Sequence, residues 1–229
     1  MTSSAILIPA RYGSTRYPAK PLAMLDGVPM IRRVYDACIA SNLPTFVLTD
    51  NKTIAQCIQS AGGNVYIDST DYANGTERCA GAIRSRKFDE FDCFINVQGD
   101  MPDVTTEMIN RCVEWLKYYP VSTVYTDMPT DLQNDPNSVK MVRAGDQALW
   151  FGRGMTGYGE WHLGVYGYRK DALVLYNDLE VPKEERIEQL EQLRWLKNGW
   201  QIGCSNVYFN GIEINEPEDV DKWHNKNFH

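Results

Sequence analysis

The sequence predicts an α/β fold: a mixed, mostly parallel central sheet with helices on both faces and a small antiparallel extension. In the first half of the chain, short apolar runs alternate with stretches of helical periodicity, which is typical of repeated strand and helix units in a parallel sheet. In the second half, strand-like runs separated by Gly and Asp turns follow one another, as antiparallel strands do. No linker or repeat interrupts the pattern, so we expect one domain over residues 1–229.

The first half divides into alternating strands and helices. We predict strands at residues 5–8, 45–48, 64–67 and 93–97, and helices at residues 29–40, 52–61, 77–86 and 106–117. Pro29 suits a first helical turn, and Gly62 ends the second helix. One apolar stripe of the first helix is expected to face the core; it comprises Ile31, Val34, Tyr35, Cys38 and Ile39.

The second half is expected to contain the antiparallel extension and one strong helix. Strand-like runs lie at residues 122–126, 139–143, 148–151 and 162–168. The helix is predicted at residues 182–197, with Glu184 and Glu185 in its first turn and Gly199 just after its end. Its expected buried side comprises Ile187, Leu190 and Leu193 or Arg194.

Composition limits the classes of function. The 229 residues are 43% hydrophobic, enough for a sizeable core, and the net charge of -7 disfavours general binding to nucleic acids or anionic membranes. The six cysteines include no close pair, so we expect reduced thiols in a cytoplasmic protein rather than disulfides or a metal cluster. We also expect neither a signal peptide nor a membrane span, since the first residues are not basic and no apolar run is long enough.

A basic loop follows the first strand. Residues 11–20 carry Arg11, Arg16 and Lys20 and no acid, and the Gly13 to Thr15 stretch allows a tight turn whose backbone amides can point at anionic oxygens. The loop lacks both the G-x-x-x-x-G-K-[ST] and the G-x-G-x-x-G pattern, which disfavours a P-loop kinase and a dinucleotide-binding dehydrogenase. Two interpretations remain, a triphosphate site or a solvated basic turn.

A carboxylate follows another predicted strand. Gln98-Gly99-Asp100 comes directly after the apolar residues 93–97, and ligands of parallel sheets lie beyond the carboxyl ends of strands, where Thr49-Asp50 also falls. Mg²⁺ is commonly held by one or two carboxylates together with phosphate oxygens, so Asp100 is a candidate metal ligand. The alternative is a capping residue of the next helix.

Six segments together give a resemblance to a known family. They are IPARYGSTRYPAKPL (residues 8–22), NGTER (74–78), NVQGD (96–100), DPNSVKMV (135–142), HLGVYGYR (162–169) and ERIEQLEQLR (185–194). In this order they resemble the 3-deoxy-manno-octulosonate (Kdo) cytidylyltransferases, or CMP-Kdo synthetases. The resemblance implies a Rossmann-like nucleotidyltransferase that transfers the cytidylyl group of CTP to an acidic eight-carbon sugar and releases pyrophosphate. It also implies a homodimer.

The resemblance implies a role for particular residues. Residues 1–120 would bind the nucleotide and residues 121–229 the sugar and a second subunit. The implied catalytic residues are Arg11, Lys20 and Asp100. The implied nucleotide-binding residues are Ala10, Arg11, Ser14, Lys20, Asn74, Gly75, Arg78 and Gln98. The implied sugar-binding residues are Gln98, Arg153, His162, Tyr166, Glu191 and Gln192. The implied Mg²⁺ ligands are Asp100 and the residue at position 215.

Other interpretations of these residues stay open. His162 could be a hydrogen-bonded structural residue. Glu191 and Gln192, with Glu188, could form the solvated side of their helix. The enzyme could instead use an acylneuraminate or a sugar phosphate, or the chain could be a nucleotide-binding homologue without activity.

Two departures from the family pattern bear on the site. The family usually has an Asp at the position of Asn215, whose amide oxygen can bind Mg²⁺ but carries no charge. The metal is then held more weakly, or Glu213 or Glu216 takes the place of the Asp. The segment before His162 is also shorter than usual, with only residues 154–161 left, which puts the sugar in more doubt than the reaction.

Overall fold

The computed structural model describes residues 2–13 and 17–228 of the chain. Its strands are β1 (Ser4–Ala10), β2 (Met24–Leu25), β3 (Val28–Pro29), β4 (Thr45–Thr49), β5 (Asn64–Ile67), β6 (Cys93–Asn96), β7 (Val121–Thr126), β8 (Lys140–Ala144), β9 (Gln147–Gly152), β10 (Glu160–Arg169) and β11 (Ile202–Asn206). Its α-helices are α1 (Met30–Ile39), α2 (Lys52–Gln59), α3 (Gly75–Ile83), α4 (Thr106–Trp115), α5 (Lys170–Leu175), α6 (Lys183–Glu188), α7 (Leu193–Lys197) and α8 (Pro217–Phe228). Short 3-10 turns lie at Lys20–Leu22, Thr130–Leu132 and Tyr176–Asp178.

One mixed sheet forms the centre of the fold. Its nine strands lie in the order β5-β4-β1-β6-β10-β7-β11-β9-β8. The pairs β5–β4, β4–β1, β1–β6 and β7–β11 are parallel. The pairs β6–β10, β10–β7, β11–β9, β9–β8 and β10–β8 are antiparallel. The expected α/β class and mixed sheet are therefore found, whereas a mostly parallel sheet is not: only the side built from the first half of the chain is parallel throughout.

The four strands predicted for the second half, β7 to β10, extend the sheet beyond β6 and pair antiparallel with one another. β10 lies between β6 and β7, at the centre of the sheet, and the parallel strand β11 lies between β7 and β9. Burial on both faces explains why β10 reads as a nearly continuous apolar run: Val165 belongs to the core on one face, and Tyr166 and Tyr168 belong to the core on the other.

Side-chain caps account for the starts of α2, α3 and α4. Asn51, Asn74 and Thr105 each accept a hydrogen bond from a backbone N–H in the first turn of the helix that follows, which satisfies donors that have no partner within the helix. In α1 the expected stripe is buried except at Ile39, which is 43% exposed because the helix ends there and the chain turns away. The prediction for Ile39 was therefore wrong.

The predicted helix at residues 182–197 is two helices. α6 ends at Gln189, which has a left-handed backbone with φ of 54°, and α7 begins at Leu193. The turn between them rotates the two helices relative to each other, so Ile187 is 76% exposed instead of buried, whereas Leu190, Leu193 and Arg194 are buried as expected. β11 and α8, near the C-terminus, were not predicted.

Two further sequence predictions concern the state of the cysteines and the absence of a membrane-spanning helix. All six cysteines are free, and five of them are buried, as expected of reduced core thiols. Among the described residues, no helix is both long and apolar enough to cross a membrane.

Candidate active site

A large cleft of about 830 Å³ opens where β1 and β6 end and α3 begins. Its lining contains all of the described residues that the sequence analysis singled out for catalysis or binding: Ala10, Arg11, Lys20, Asn74, Gly75, Arg78, Gln98, Asp100, Arg153, His162, Tyr166, Glu191, Gln192 and Asn215. Ser14 lies outside the described residues. The cleft thus joins side chains from both halves of the chain, as expected when ligands bind beyond the carboxyl ends of parallel strands.

Lys20 and Asp100 form an ion pair at the floor of this cleft. Lys20 Nζ lies 2.5 Å from Asp100 Oδ2 and also donates to the backbone oxygen of Ile214 at 3.2 Å. An ammonium group has three donors, so one N–H of Lys20 is left for a further acceptor. Arg11, just past the end of β1, is exposed at the cleft. Arg11 and Lys20 thus place two cations at this part of the cleft, although the chain as a whole is acidic.

The segment from Glu213 to Asn215 is fastened beside Asp100. The backbone N–H of Ile214 donates to the backbone oxygen of Asp100 at 3.0 Å. Glu213 and Asn215 both line the cleft, and Ile214 between them is completely buried. Burial, and next the negative charge of Asp100, raise the pKa of the Glu213 carboxyl to about 7. Two acidic groups therefore share this end of the cleft.

The N-terminus of α3 forms one wall. Asn74 caps the helix by accepting from the backbone N–H of Glu77 at 2.8 Å. Gly75 lets Gln98 and Pro9 pack closely against the start of the helix, because a Cβ at this position would lie 3.1 Å from both Gln98 Oε1 and Pro9 Cγ. The helix dipole makes such a terminus attractive to negative charge, and the Thr76 N–H of this first turn already donates to the Glu191 carboxylate.

Arg78 is held by groups of the protein. Its guanidinium donates to the backbone oxygen of Asp68 at 3.2 Å and to Asp50 Oδ2 at 3.4 Å, and it stacks over the ring of Tyr72 at 5.3 Å. Asp50 also accepts from the backbone N–H of Tyr12 at 3.3 Å. Arg78 and Asp50 thus tie the start of the basic loop to α3.

Glu191 connects the two halves of the chain. Its carboxylate accepts from the backbone N–H of Thr76 at 3.0 Å and from Gln98 Nε2 at 3.2 Å. Burial raises the pKa of Glu191, and the Thr76 bond opposes this rise. Glu191 is therefore not on a solvated helix side: the turn after Gln189 brings it against the first turn of α3.

A buried ion-pair network reinforces this connection. Arg194 donates to both carboxylate oxygens of Glu185, at 2.8 and 2.5 Å, and to Glu77 Oε1 at 2.8 Å. Its guanidinium also stacks on the ring of Tyr176, 4.3 Å from the centroid. Arg194 and Glu185 are only 2% and 7% exposed, so the charges are stabilised by one another rather than by water. The sequence analysis missed this network; the available signal was an arginine on the apolar side of a helix.

Gln192 offers a donor to the cleft. Its side chain is 2% exposed, and its Nε2 atom has no hydrogen-bond partner among the described residues. A buried amide without a partner is costly, and a ligand that accepts from it would remove the cost.

Arg153 lines the same cleft and follows β9. Its backbone N–H and its Nε atom donate to Glu188, at 2.8 Å to the carboxylate and 3.1 Å to the backbone oxygen. Its Nη1 atom donates to the backbone oxygen of Asn137 at 2.9 Å. The buried Lys140 donates to the backbone oxygens of Asp135 at 2.5 Å and Arg153 at 3.3 Å, which fixes the loop below. Arg153 is thus a cation in a defined position.

The shortened segment, residues 154–161, follows Arg153 directly in the sequence. Residues 153–159 connect β9 to β10 without regular structure. Gly159 has φ of 98°, and a Cβ there would lie 3.1 Å from Lys140 Cβ and 3.3 Å from the backbone oxygen of Met141. Only glycine fits this close approach, which lets the short connection reach β10.

His162 is both a lining residue and a structural one. It is 3% exposed, and its Nε2 atom shares a hydrogen bond of 2.9 Å with Thr123 Oγ1. Burial, and next the charge of Arg153, lower its pKa to about 3. The imidazole is therefore neutral at neutral pH. It packs between Phe151 and Tyr166.

The chain is similar to known proteins over nearly its whole length. A family model described as Cytidylyltransferase matches residues 5–202. The chain belongs to the cytidylyltransferase family. Relatives named 8-amino-3,8-dideoxy-manno-octulosonate cytidylyltransferase, from Shewanella amazonensis and Shewanella oneidensis, are each 36% identical to this family member. The alignments cover 96% and 95% of the chain and 97% and 95% of those relatives.

Solved structures agree with this membership. A CMP:2-keto-3-deoxy-manno-octonic acid synthetase complexed with CTP superimposes with a TM-score of 0.90 at 30% identity and 98% coverage of both chains. A putative glucose-1-phosphate thymidylyltransferase from Bacillus anthracis, at 12% identity, shares the fold with a TM-score of 0.71 and covers 98% of this chain and 95% of its own. The family resemblance found in the six sequence segments is confirmed, and the chain is a cytidylyltransferase.

The donors around Asp100 suit a hard divalent cation in this cytidylyltransferase. Asp100 and Glu213 supply carboxylate oxygens and Asn215 an amide oxygen, and all three line the cleft. Oxygen donors are those that Mg²⁺ prefers. The described residues contain no group of three or more His, Cys, Asp or Glu side chains that could hold a metal by themselves. A cation here would complete its coordination with waters or with oxygens of a substrate.

Proposed function

We propose that the protein transfers the cytidylyl group of CTP to Kdo or a closely related acidic sugar, giving the CMP-sugar and pyrophosphate. One observation carries the proposal: cations and carboxylates that suit a metal-bound triphosphate line one cleft together with a fixed arginine from the second half of the chain. The family membership and the names of the relatives and of the CTP-bound neighbour support it.

The triphosphate is assigned to the end that contains the basic loop. Arg11 offers a forked set of donors, and Lys20 has one N–H left beside Asp100. The first turn of α3, which Asn74 caps, adds a favourable dipole, and we place the cytidine along Asn74, Gly75 and Arg78. Ala10 and Gln98 form the floor between the sites.

Mg²⁺ is the proposed cofactor. Asp100 and Asn215 are the ligands that the resemblance assigns, and the oxygen-donor set of the cleft fits them. When bound, the ion neutralises phosphate charge and orients the leaving pyrophosphate. Arg11 and Lys20 add positive charge at the same end.

The acidic sugar is assigned to the end that contains Arg153. A guanidinium pairs well with a carboxylate, and Arg153 is held in place by Glu188 and Asn137. Gln192 brings an unused buried donor for a sugar oxygen. We assign His162, Tyr166, Gln98 and Glu191 to the same pocket, where the neutral imidazole and the phenol act as hydrogen-bonding and packing groups.

The reaction is an in-line displacement. A sugar hydroxyl oxygen bonds to the α-phosphorus while the bond from this phosphorus to the oxygen that bridges to the β-phosphate breaks; pyrophosphate leaves with the electron pair, and the hydroxyl proton is released. Because the cleft holds both ends of the reaction, the contribution of the protein is positioning and neutralisation of the charge that develops.

The acceptor is best identified with a panel of substrates. Pyrophosphate release is measured for each of the four nucleoside triphosphates with Kdo, 8-amino-Kdo, an acylneuraminate and a sugar phosphate. We expect release with CTP and Kdo or its 8-amino derivative, since the relatives are named for the latter. Release only with the acylneuraminate or the sugar phosphate would overturn the acceptor assignment. CTP binding without release for any acceptor would indicate the homologue without activity.

The remaining assignments are part of the same proposal. Residues 1–120 bind the nucleotide, and residues 121–229 bind the sugar and form the subunit contact of a homodimer. Analytical ultracentrifugation tests the dimer: a single species of twice the 26.1 kDa chain mass is expected, and a monomer at micromolar concentration would contradict it.

A further inference from the structure

We propose that Glu213 is the second acidic ligand of the divalent cation at Asp100, in place of the Asp that the family pattern has at position 215. The inference rests on the proposed function, because the cation is the one that accompanies CTP. It concerns a residue outside the ligand pair that the resemblance implies.

The backbone around Ile214 directs Glu213 into the cleft. Ile214 is completely buried, its N–H donates to the backbone oxygen of Asp100 at 3.0 Å, and its own oxygen accepts from Lys20 Nζ at 3.2 Å. Ile214 anchors the segment in the core, and its two neighbours, Glu213 and Asn215, both line the cleft.

Glu213 differs from the other acids of the cleft in its partners. Asp100 pairs with Lys20, Glu77 and Glu185 pair with Arg194, and Glu191 accepts from a backbone N–H. Among the described residues, Glu213 forms no ion pair within 4.0 Å, and its segment is bonded to the backbone oxygen of Asp100 through Ile214. A cation shared by Asp100 and Glu213 would give this carboxylate the counter-charge that the ion-paired acids of the cleft already have.

Glu216, which the sequence left open as an alternative metal ligand, lies outside the cleft. Its side chain is exposed and is not part of the cleft lining. Its backbone N–H donates to Asp219 Oδ2 at 3.0 Å, so this stretch already turns into α8. Glu216 is therefore unsuited as a ligand and is a matched control for Glu213, three residues away on the same segment.

The role of Asn215 follows from the same arrangement. Its amide oxygen can complete the coordination but adds no negative charge, and Mg²⁺ commonly takes one or two carboxylates. With Asp100 and Glu213, this chain keeps two carboxylate ligands. The second carboxylate is supplied by position 213 of the segment instead of position 215.

The test measures cation binding without turnover. Free Mn²⁺ is titrated by electron paramagnetic resonance against the full-length protein, with and without CTP and without any sugar. We expect Glu213→Gln to weaken Mn²⁺ binding by roughly tenfold or more and Glu216→Gln to leave it within about twofold. Asn215→Asp should preserve or tighten binding in the wild-type background and restore it in Glu213→Gln.

Two results would overturn the inference. The first is that Glu213→Gln binds Mn²⁺ within about twofold of wild type. If this variant also no longer distinguished Kdo from 8-amino-Kdo, Glu213 would be a residue that determines sugar specificity. The second is a large loss of Mn²⁺ binding in Asn215→Asp. Absence of pyrophosphate release with every acceptor would overturn the proposed function separately, since the Mn²⁺ comparison involves no acceptor.

Discussion

Replacing Arg194 with methionine removes the centre of the buried ion-pair network. The guanidinium makes bonds of 2.8 and 2.5 Å to Glu185 and 2.8 Å to Glu77, and Arg194 is 2% exposed. Methionine keeps much of the volume but leaves the Glu185 carboxylate buried without a counter-charge. Breaking a buried pair in this way costs about 3–5 kcal/mol, and for a chain of this size about 1 kcal/mol lowers Tm by roughly 2–4 °C. We therefore expect a fall in Tm of roughly 6–20 °C.

Differential scanning calorimetry with two further variants isolates the cause. Lys197→Met on the same helix removes only the exposed pair between Lys197 and Glu184, 3.0 Å apart, and should leave Tm within about 2 °C of wild type. Adding Glu185→Gln to Arg194→Met neutralises the stranded carboxylate and should recover part of the loss. If Arg194→Met and Lys197→Met had the same Tm, the interpretation of a buried, mutually dependent network would be refuted.

Three other predictions address the site, pH and the turn between α6 and α7. Arg11→Ala or Asp100→Ala should lower turnover by roughly 100-fold or more while leaving Tm nearly unchanged, because both residues lie past strand ends outside the core; near-wild-type rates in either variant would disprove the site assignment. The His162 pKa of about 3 lies below the ordinary histidine value of 6.5, so the unfolded chain binds more protons between these values and stability falls as pH falls. Urea unfolding should show a loss of about 2 kcal/mol between pH 7 and 5 that is missing in His162→Gln, and equal pH dependence in both proteins would contradict it. Because Gln189 has φ of 54°, Gln189→Gly should preserve or raise Tm, whereas Gln189→Val should lower the free energy of unfolding by about 1–2 kcal/mol; the opposite order would argue against the turn.

Local sequence patterns predicted most strands of the sheet and the part of the site that contains Arg11 and Asp100. Alternating strands and helices place the carboxyl ends of β1 and β6 side by side, because β1 and β6 pair in parallel. For that reason Arg11 and Asp100, 89 positions apart in the sequence, line the same cleft. The chemistry of residues that follow strands could thus be inferred before their distances were known.

The position of β10 and the break between α6 and α7 depend on long-range contacts and could not be predicted from local sequence patterns. Nothing near β10 indicates that it inserts between β6 and β7, since this depends on pairing with strands that are far away in the sequence. The periodicity of residues 182–197 suits one helix, and the stretch contains no Gly or Pro after Pro182 at its start. The helix breaks at Gln189, and the turn allows Glu191 to reach the N-terminus of α3 and Arg194 to reach Glu77. Tertiary bonds outweigh local helix propensity there.

The central claim is that this cleft joins a CTP-derived cytidylyl group to a Kdo-like acidic sugar. The most direct measurement is ³¹P nuclear magnetic resonance of CTP, Mg²⁺ and Kdo or 8-amino-Kdo with the full-length protein. We predict that the triphosphate signals decline together while one phosphodiester signal and pyrophosphate appear in equal amounts. Unchanged CTP with both sugars, or CMP and pyrophosphate formed by hydrolysis without a phosphodiester, would contradict the claim.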